Sequence, residues 1–229
     1  MGASSNRIAQ TISLSAGHKK FHGADIEYVP RFLSREEADE LTETLKLKVP
    51  WRQPKVRIFG SLYPCPRLAA SYGDQRAIYQ YSGVTNYPLM WLTELSELRC
   101  RIENYTEDSF NSVLVNCYRT GLDSMGWHRD NEPELGIDPV IASITLGSSR
   151  RFVMRHCKRR DVSRLEVSLE NGSLLIMRGQ TQSLWQHTVP KTRMTTGLRL
   201  NLTFRNVLWK RGCSEFQSDP ISEEFSSCE

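Results

Sequence analysis

Two short stretches carry residue types that do chemistry. In WHRDNE, His128 and Asp130 stand two apart, so an extended backbone projects both side chains to one side. Such a pair is common on its own. The chain has only five histidines, however; His18 and His22 lie in an unpatterned N-terminal stretch, and His156 sits within a basic run. That leaves His187, in LWQHTVP, to complete a set of two imidazoles and one carboxylate. With the other positions open, this is the donor set of a non-haem Fe(II) oxygenase, and the same three ligands also suit zinc.

The second stretch is GLRLNLTFR, residues 197–205. Read as a strand, it puts Leu198, Leu200, Leu202 and Phe204 on one face and Arg199, Asn201, Thr203 and Arg205 on the other. If the polar face meets water, this is an ordinary amphipathic strand. If it faces an interior, each guanidinium costs several kcal/mol unless an anion meets it. An Fe(II) oxygenase that consumes a 2-oxo dicarboxylate needs a buried cation for the distal carboxylate, ideally a planar fork, and a zinc hydrolase does not. VLVNCY adds Asn116 and Tyr118 on one face, two neutral groups that suit the same anion. The expected anion is 2-oxoglutarate.

The elements around these residues follow from period and punctuation. In DIEYVPRFLSREEADELTETLKLKVPW, Ser34 and Glu37 form a capping box that opens a helix with Ala38, Leu41 and Leu45 on its inner face; Pro50 marks its end. A second helix fits 88–106, burying Leu92, Leu95 and Ile102. After residue 110 the period changes to two. Strands are expected at 113–118, 140–147, 150–156, 163–170, 173–179 and 198–207, an all-β half that closes as a sandwich, barrel or jelly roll. Residues 1–24 and 210–229 are read as loosely ordered ends of a single domain spanning 25–209.

Composition excludes little but orients the rest. No apolar run approaches the ~20 residues that span a bilayer, so no membrane partner is expected. Six cysteines without a CxxC pair, and no secretory signal, suit reduced thiols in an intracellular protein, nuclear in a eukaryote and cytoplasmic in a bacterium. No coiled-coil pattern is present, and a monomer is expected. The net charge of +4 does not by itself imply nucleic acid. RRFVMRHCKRR, with Arg150, Arg151, Arg155, Lys158, Arg159 and Arg160, reads as a solvated hairpin or as a rim for phosphates.

NCY (116–118), HRDNE (128–132), His187 and RLNLTFR (199–205) together resemble the AlkB dioxygenases. The resemblance implies an α+β fold with a double-stranded β-helix (jelly-roll) core over 110–207, N-terminal helices and a substrate-recognition lid over 51–87. It implies Fe(II) on His128, Asp130 and His187, 2-oxoglutarate held by Asn116, Tyr118, Arg199 and Arg205 with Asn201 supporting the site, and O2 as cosubstrate.

KVRIFGSLYPCPRLAASYGDQRAIYQYSG (55–83) resembles the lid of the duplex-DNA repair branch of that family. There, Phe59 backed by Ile58 would be the wedge that fills the gap left by a flipped base, and Arg67 would contact DNA beside the lesion. Tyr79 and Tyr81 would stack on the flipped base, with Ser82 nearby. Glu132, two residues beyond Asp130, would favour a cationic base such as 1-methyladenine or 3-methylcytosine. The expected partner is duplex DNA and the expected reaction oxidative demethylation. A single-stranded RNA or DNA substrate, and a reader without turnover, are the alternatives.

Overall fold

The structure, a computed structural model, describes residues 10–58, 61–81, 84–194 and 197–208. Its strands are β1 (Thr11–Ser13), β2 (Gly17–Phe21), β3 (Ala24–Val29), β4 (Lys55–Ile58), β5 (Ser61–Pro64), β6 (Leu68–Gly73), β7 (Tyr79–Tyr81) and β8 (Val84–Asn86). They continue with β9 (Ser112–Tyr118), β10 (Met125–His128), β11 (Ile141–Gly147), β12 (Arg150–His156), β13 (Arg164–Leu169), β14 (Ser173–Arg178), β15 (Trp185–Val189) and β16 (Arg199–Arg205). Among the described residues, three α-helices, α1 (Arg35–Lys48), α2 (Thr93–Thr106) and the single turn α3 (Thr181–Leu184), and a short 3-10 turn at Pro133–Leu135 interrupt them. A seven-stranded sheet runs β2-β3-β14-β11-β16-β9-β6 and a five-stranded sheet β1-β13-β12-β15-β10, while β4-β5 and β7-β8 form two separate two-stranded sheets. Two antiparallel-dominated sheets formed from interleaved strands are the expected jelly-roll core.

The strands read from the period-two pattern are present within a residue or two of their expected ends. α1 opens on the expected box, with Glu37 N–H donating to Ser34 Oγ (3.1 Å) and Ser34 N–H to Glu37 Oε2 (2.8 Å). It buries Ala38, Thr42 and Leu45, with Leu41 packed against the same core. The second helix starts later than expected, at Thr93. Leu89 explains the difference: its N–H donates to Ser71 O and its carbonyl accepts from Gly73 N–H, so this segment extends along β6 instead of coiling. Residues 11–21, expected to be loose, form β1 and β2, pinned to β13 and β3. The proposed tail at 210–229 lies outside the described residues.

The seven-stranded sheet has two different faces. On one, Leu200, Leu202 and Phe204 join Val113, Val115, Ile144 and Ile176 beneath Ala38 and Leu45 of α1 and Leu95 and Ile102 of α2. On the other, Leu175 and Met177 meet Phe152, Met154, Leu165 and Val167 of the second sheet. Both faces of β16 are therefore buried, and its polar line points into the barrel. Among the described residues, no helix is long and apolar enough to cross a membrane.

Candidate metal and cosubstrate site

The register of two strand pairs assembles the site. On β10 and β15, His128 lies directly opposite His187, and their ring centroids are 4.1 Å apart. Asp130 follows two residues later, in the loop after β10, and its Oδ1 is 3.9 Å from His128 Nε2. Ligand atoms of all three residues lie within 4.8 Å of one another, a spacing that one metal ion can bridge. Gly126 O is 2.9 Å from His128 Nδ1; a carbonyl only accepts, so Nδ1 carries the proton and Nε2 is left as a ligand. Phe152 stacks on His187 at 5.1 Å and closes the apolar side.

Protonation states suit a cation. Burial works to raise the Asp130 carboxyl, but the Arg205 guanidinium, followed by His187 and His128, holds it down at about 2. Arg205 Nη2 donates to Asp130 Oδ1 at 3.1 Å. Burial pushes His187 down to about 3, and His128 is lowered for the same reason against the pull of Asp130. Two neutral imidazoles beside an ionised carboxylate are what a divalent metal requires.

On β9 and β16, Tyr118 is opposite Arg199 and Asn116 opposite Asn201. Arg199 is only 1% exposed. Its Nη2 donates to Thr145 Oγ1 at 2.9 Å, and its guanidinium lies 5.1 Å from the centre of the Tyr118 ring. Burial lowers it to about 10, so it stays charged. Arg199 Nε and Nη1, and His187 Nδ1, are buried without hydrogen-bond partners among the described residues. The polar atoms left in this way on Arg199 fit a bound anion beside it. Asn201 donates to Ser143 Oγ (2.8 Å) and Ile144 O (3.1 Å), tying β16 to β11. These groups line one enclosed cavity of about 40 Å³, small beside the ~300–1,000 Å³ usual for small-molecule sites. A larger groove of about 690 Å³ beside α1 is lined by exposed side chains of both signs and holds none of the site residues.

Other expected residues divide. Glu132 is half-buried, and burial, then the neighbouring Asp130, raise its carboxyl. Arg67 is corrected: it is buried, and its Nε donates to Asn116 Oδ1 at 2.8 Å, so it braces the site and is closed off from a DNA strand. Arg150 is corrected too. At 4% exposure it donates to the carbonyls of Thr120, Gly121, Asp123 and Pro190, because the pleat of β12 sends it inward with Phe152 and Met154. Arg151, Lys158, Arg159 and Arg160 are exposed, and Arg155 is half-buried with its guanidinium 4.1 Å from the Trp127 ring centre. Arg151 pairs with Glu166 and Arg159 with Asp161, acids that lie outside the basic run. Ile58, Tyr79 and Tyr81 stand in β4 and β7, with side chains outside the described set; Phe59 and Ser82 lie outside the described residues.

Thr145, Ser143, Phe152 and Gln182 also belong to the site and were not anticipated. Ser143 and Thr145 carried a signal: two hydroxyls at period two inside the otherwise apolar IASITLG.

Comparison with known proteins agrees with this geometry. Residues 25–205 match the model of the 2OG-Fe(II) oxygenase superfamily. Mouse "Alpha-ketoglutarate-dependent dioxygenase alkB homolog 3" is 44% identical over 186 residues, covering 78% of this chain and 64% of that one. Human "DNA oxidative demethylase ALKBH2" is 36% identical over 200 residues, covering 83% and 76%. The chain thus spans a little under two thirds of the alkB homolog 3 relatives it matches. The solved structure of OsALKBH1 shares the fold, with a TM-score of 0.58 at 17% identity over 82% of this chain and 99% of that one. With its jelly roll and its His-Asp-His cluster, the chain belongs to the AlkB group of the 2OG-Fe(II) oxygenase superfamily, whose metal is Fe(II) and whose cosubstrate is 2-oxoglutarate.

Proposed function

We propose that this chain is an oxidative demethylase of N-methylated bases in nucleic acid, acting on 1-methyladenine and 3-methylcytosine flipped out of duplex DNA. The observation that carries it is the polar face of β16: in one line it offers a buried fork, Arg199, for a dicarboxylate and a second guanidinium, Arg205, fixed on Asp130. A hydrolase has no use for the first. The relatives named as demethylases point the reaction toward nucleic acid.

Each residue has a physical task. His128, Asp130 and His187 hold Fe(II), with the imidazoles kept neutral by burial and the carboxylate kept ionised by Arg205. Arg199 takes the distal carboxylate of 2-oxoglutarate, oriented by Thr145, while Tyr118 and Asn116 offer neutral groups along its length. Fe(II) held by these three residues would supply the oxidative chemistry in which O2 and 2-oxoglutarate give succinate and CO2 while the N-methyl carbon is hydroxylated; the hydroxymethyl group would then be lost as formaldehyde. Glu132 presents negative charge beside the metal loop and favours a cationic methylated base over a neutral one. Phe59 and Ile58 fill the gap in the stack, and Tyr79 and Tyr81 stack on the extruded base, with Ser82 nearby. Arg151, Arg155, Lys158, Arg159 and Arg160 meet the phosphate backbone.

The duplex preference is tested by comparing one 1-methyladenine oligonucleotide, paired and unpaired, with the wild type and Phe59→Ala. A wedge predicts that Phe59→Ala loses at least about tenfold on the duplex and little on the single strand. Equal losses on both, or none on either, would remove the wedge and favour a single-stranded substrate. Binding without any conversion of either strand would favour the reader.

A further inference from the structure

Asp130 sits in a loop, so no strand ladder fixes its backbone, yet a metal ligand must be placed to within about half an ångström. We propose that Gln182 is the positioning residue that does this, an inference that rests on His128, Asp130 and His187 being the metal ligands. Gln182 lies in α3 and is fully buried. Its Oε1 accepts the Asp130 N–H at 3.0 Å, and its Nε2 faces Met177 Sδ at 3.4 Å. A backbone N–H can only donate, which fixes the amide orientation; the other end then has only a thioether, a weak acceptor. A side chain there for packing alone would be apolar, because burying an amide for one good hydrogen bond costs more than it returns. The placement is explained by the bond to Asp130.

The turn is itself braced. Ser183 O accepts from Arg129 Nη1 (3.0 Å), on the residue before Asp130, and Thr181 Oγ1 accepts the Asp25 N–H of β3 (2.8 Å). α3 runs directly into β15, which carries His187. One turn of four residues therefore sets the backbone of Asp130 and the start of the strand bearing His187. Arg205 orients the Asp130 carboxylate and Gln182 fixes the backbone behind it.

The test uses Co(II) as a spectroscopic probe titrated into the metal-free protein, with Gln182→Met, Gln182→Glu and His187→Ala. Gln182→Met keeps the volume and removes the acceptor; it should weaken Co(II) by roughly 10–100-fold and change the visible spectrum. Gln182→Glu keeps an oxygen and should retain the wild-type spectrum. Wild-type affinity and spectrum in Gln182→Met, with binding lost in His187→Ala, would overturn the inference and leave the metal site intact. Equal losses in the Met and Glu variants would show that the oxygen accepting the Asp130 N–H is not what matters, and would overturn it too. If His187→Ala binds Co(II) like the wild type, the metal site itself is wrong. Should Gln182→Met not fold, Gln182→Asn, which withdraws the oxygen by one methylene, is read in the same way.

Discussion

Arg199 and Tyr118 face each other across β16 and β9, with the guanidinium 5.1 Å from the ring centre and two of its nitrogens buried without partners among the described residues. A charge held this way is costly to the empty protein and useful only when an anion arrives. Catalysis and stability should therefore respond to its removal with opposite signs.

Arg199→Met should raise the KM for 2-oxoglutarate by at least about thirtyfold, in keeping with the ~2–5 kcal/mol lost when one partner of a buried charge pair is truncated. The same variant should match or exceed the wild-type Tm without cosubstrate. Added 2-oxoglutarate should raise the Tm of the wild type only. Steady-state kinetics and thermal melts check both halves; a variant that melts lower and keeps its KM would contradict them.

Acid should destabilise the metal-free protein. His187 falls from 6.5 to about 3 on folding and Asp130 from 3.8 to about 2, so between each pair of values the unfolded chain binds more protons. Stability from His187 is whole above about 6.5 and is lost as pH falls toward 3; Asp130 adds its loss below 3.8. Thermal melts of the metal-free wild type should drop steadily below about pH 6.5. His187→Gln should flatten that slope.

The basic run separates into two behaviours. Arg150→Met strands four carbonyls and should cost about 2–4 kcal/mol of stability. Once folded, it should bind DNA with an unchanged salt dependence. Lys158→Ala or Arg160→Ala should leave stability within about 0.5 kcal/mol. Each should lower the slope of log K against log salt by about 1.

Ser34→Ala should lower stability by about 1 kcal/mol through loss of the Glu37 N–H bond, with no effect on cosubstrate KM. A denaturant titration beside the kinetic assay checks both. Its value is as a control, since α1 packs on the face of the sheet opposite the cavity.

Period and chemistry made much of this legible. The alternation in β16 identified which residues turn inward, and the capping box located α1, because both signals are local. Arg150 was readable by the same rule: it shares period two with Phe152 and Met154, and counting the run as charge hid that. β1, β2, β10 and α3 were not readable. They are three to five residues long and lack alternation; β1 and β10 are set by partners distant in sequence, β13 and β15, and β2 by its pairing with the neighbouring β3. Gln182 lies in such a segment, and only the folded chain brings it to Asp130.

The most direct test of the central claim is mass spectrometry of an oligonucleotide carrying one 1-methyladenine, incubated with Fe(II), 2-oxoglutarate and air. The account predicts loss of the methyl group that requires all three additions, forms formaldehyde and succinate, and disappears in His187→Ala. Succinate formed without any change in the oligonucleotide would leave the iron site standing and contradict the substrate. Neither product from folded, iron-loaded protein would contradict the account itself.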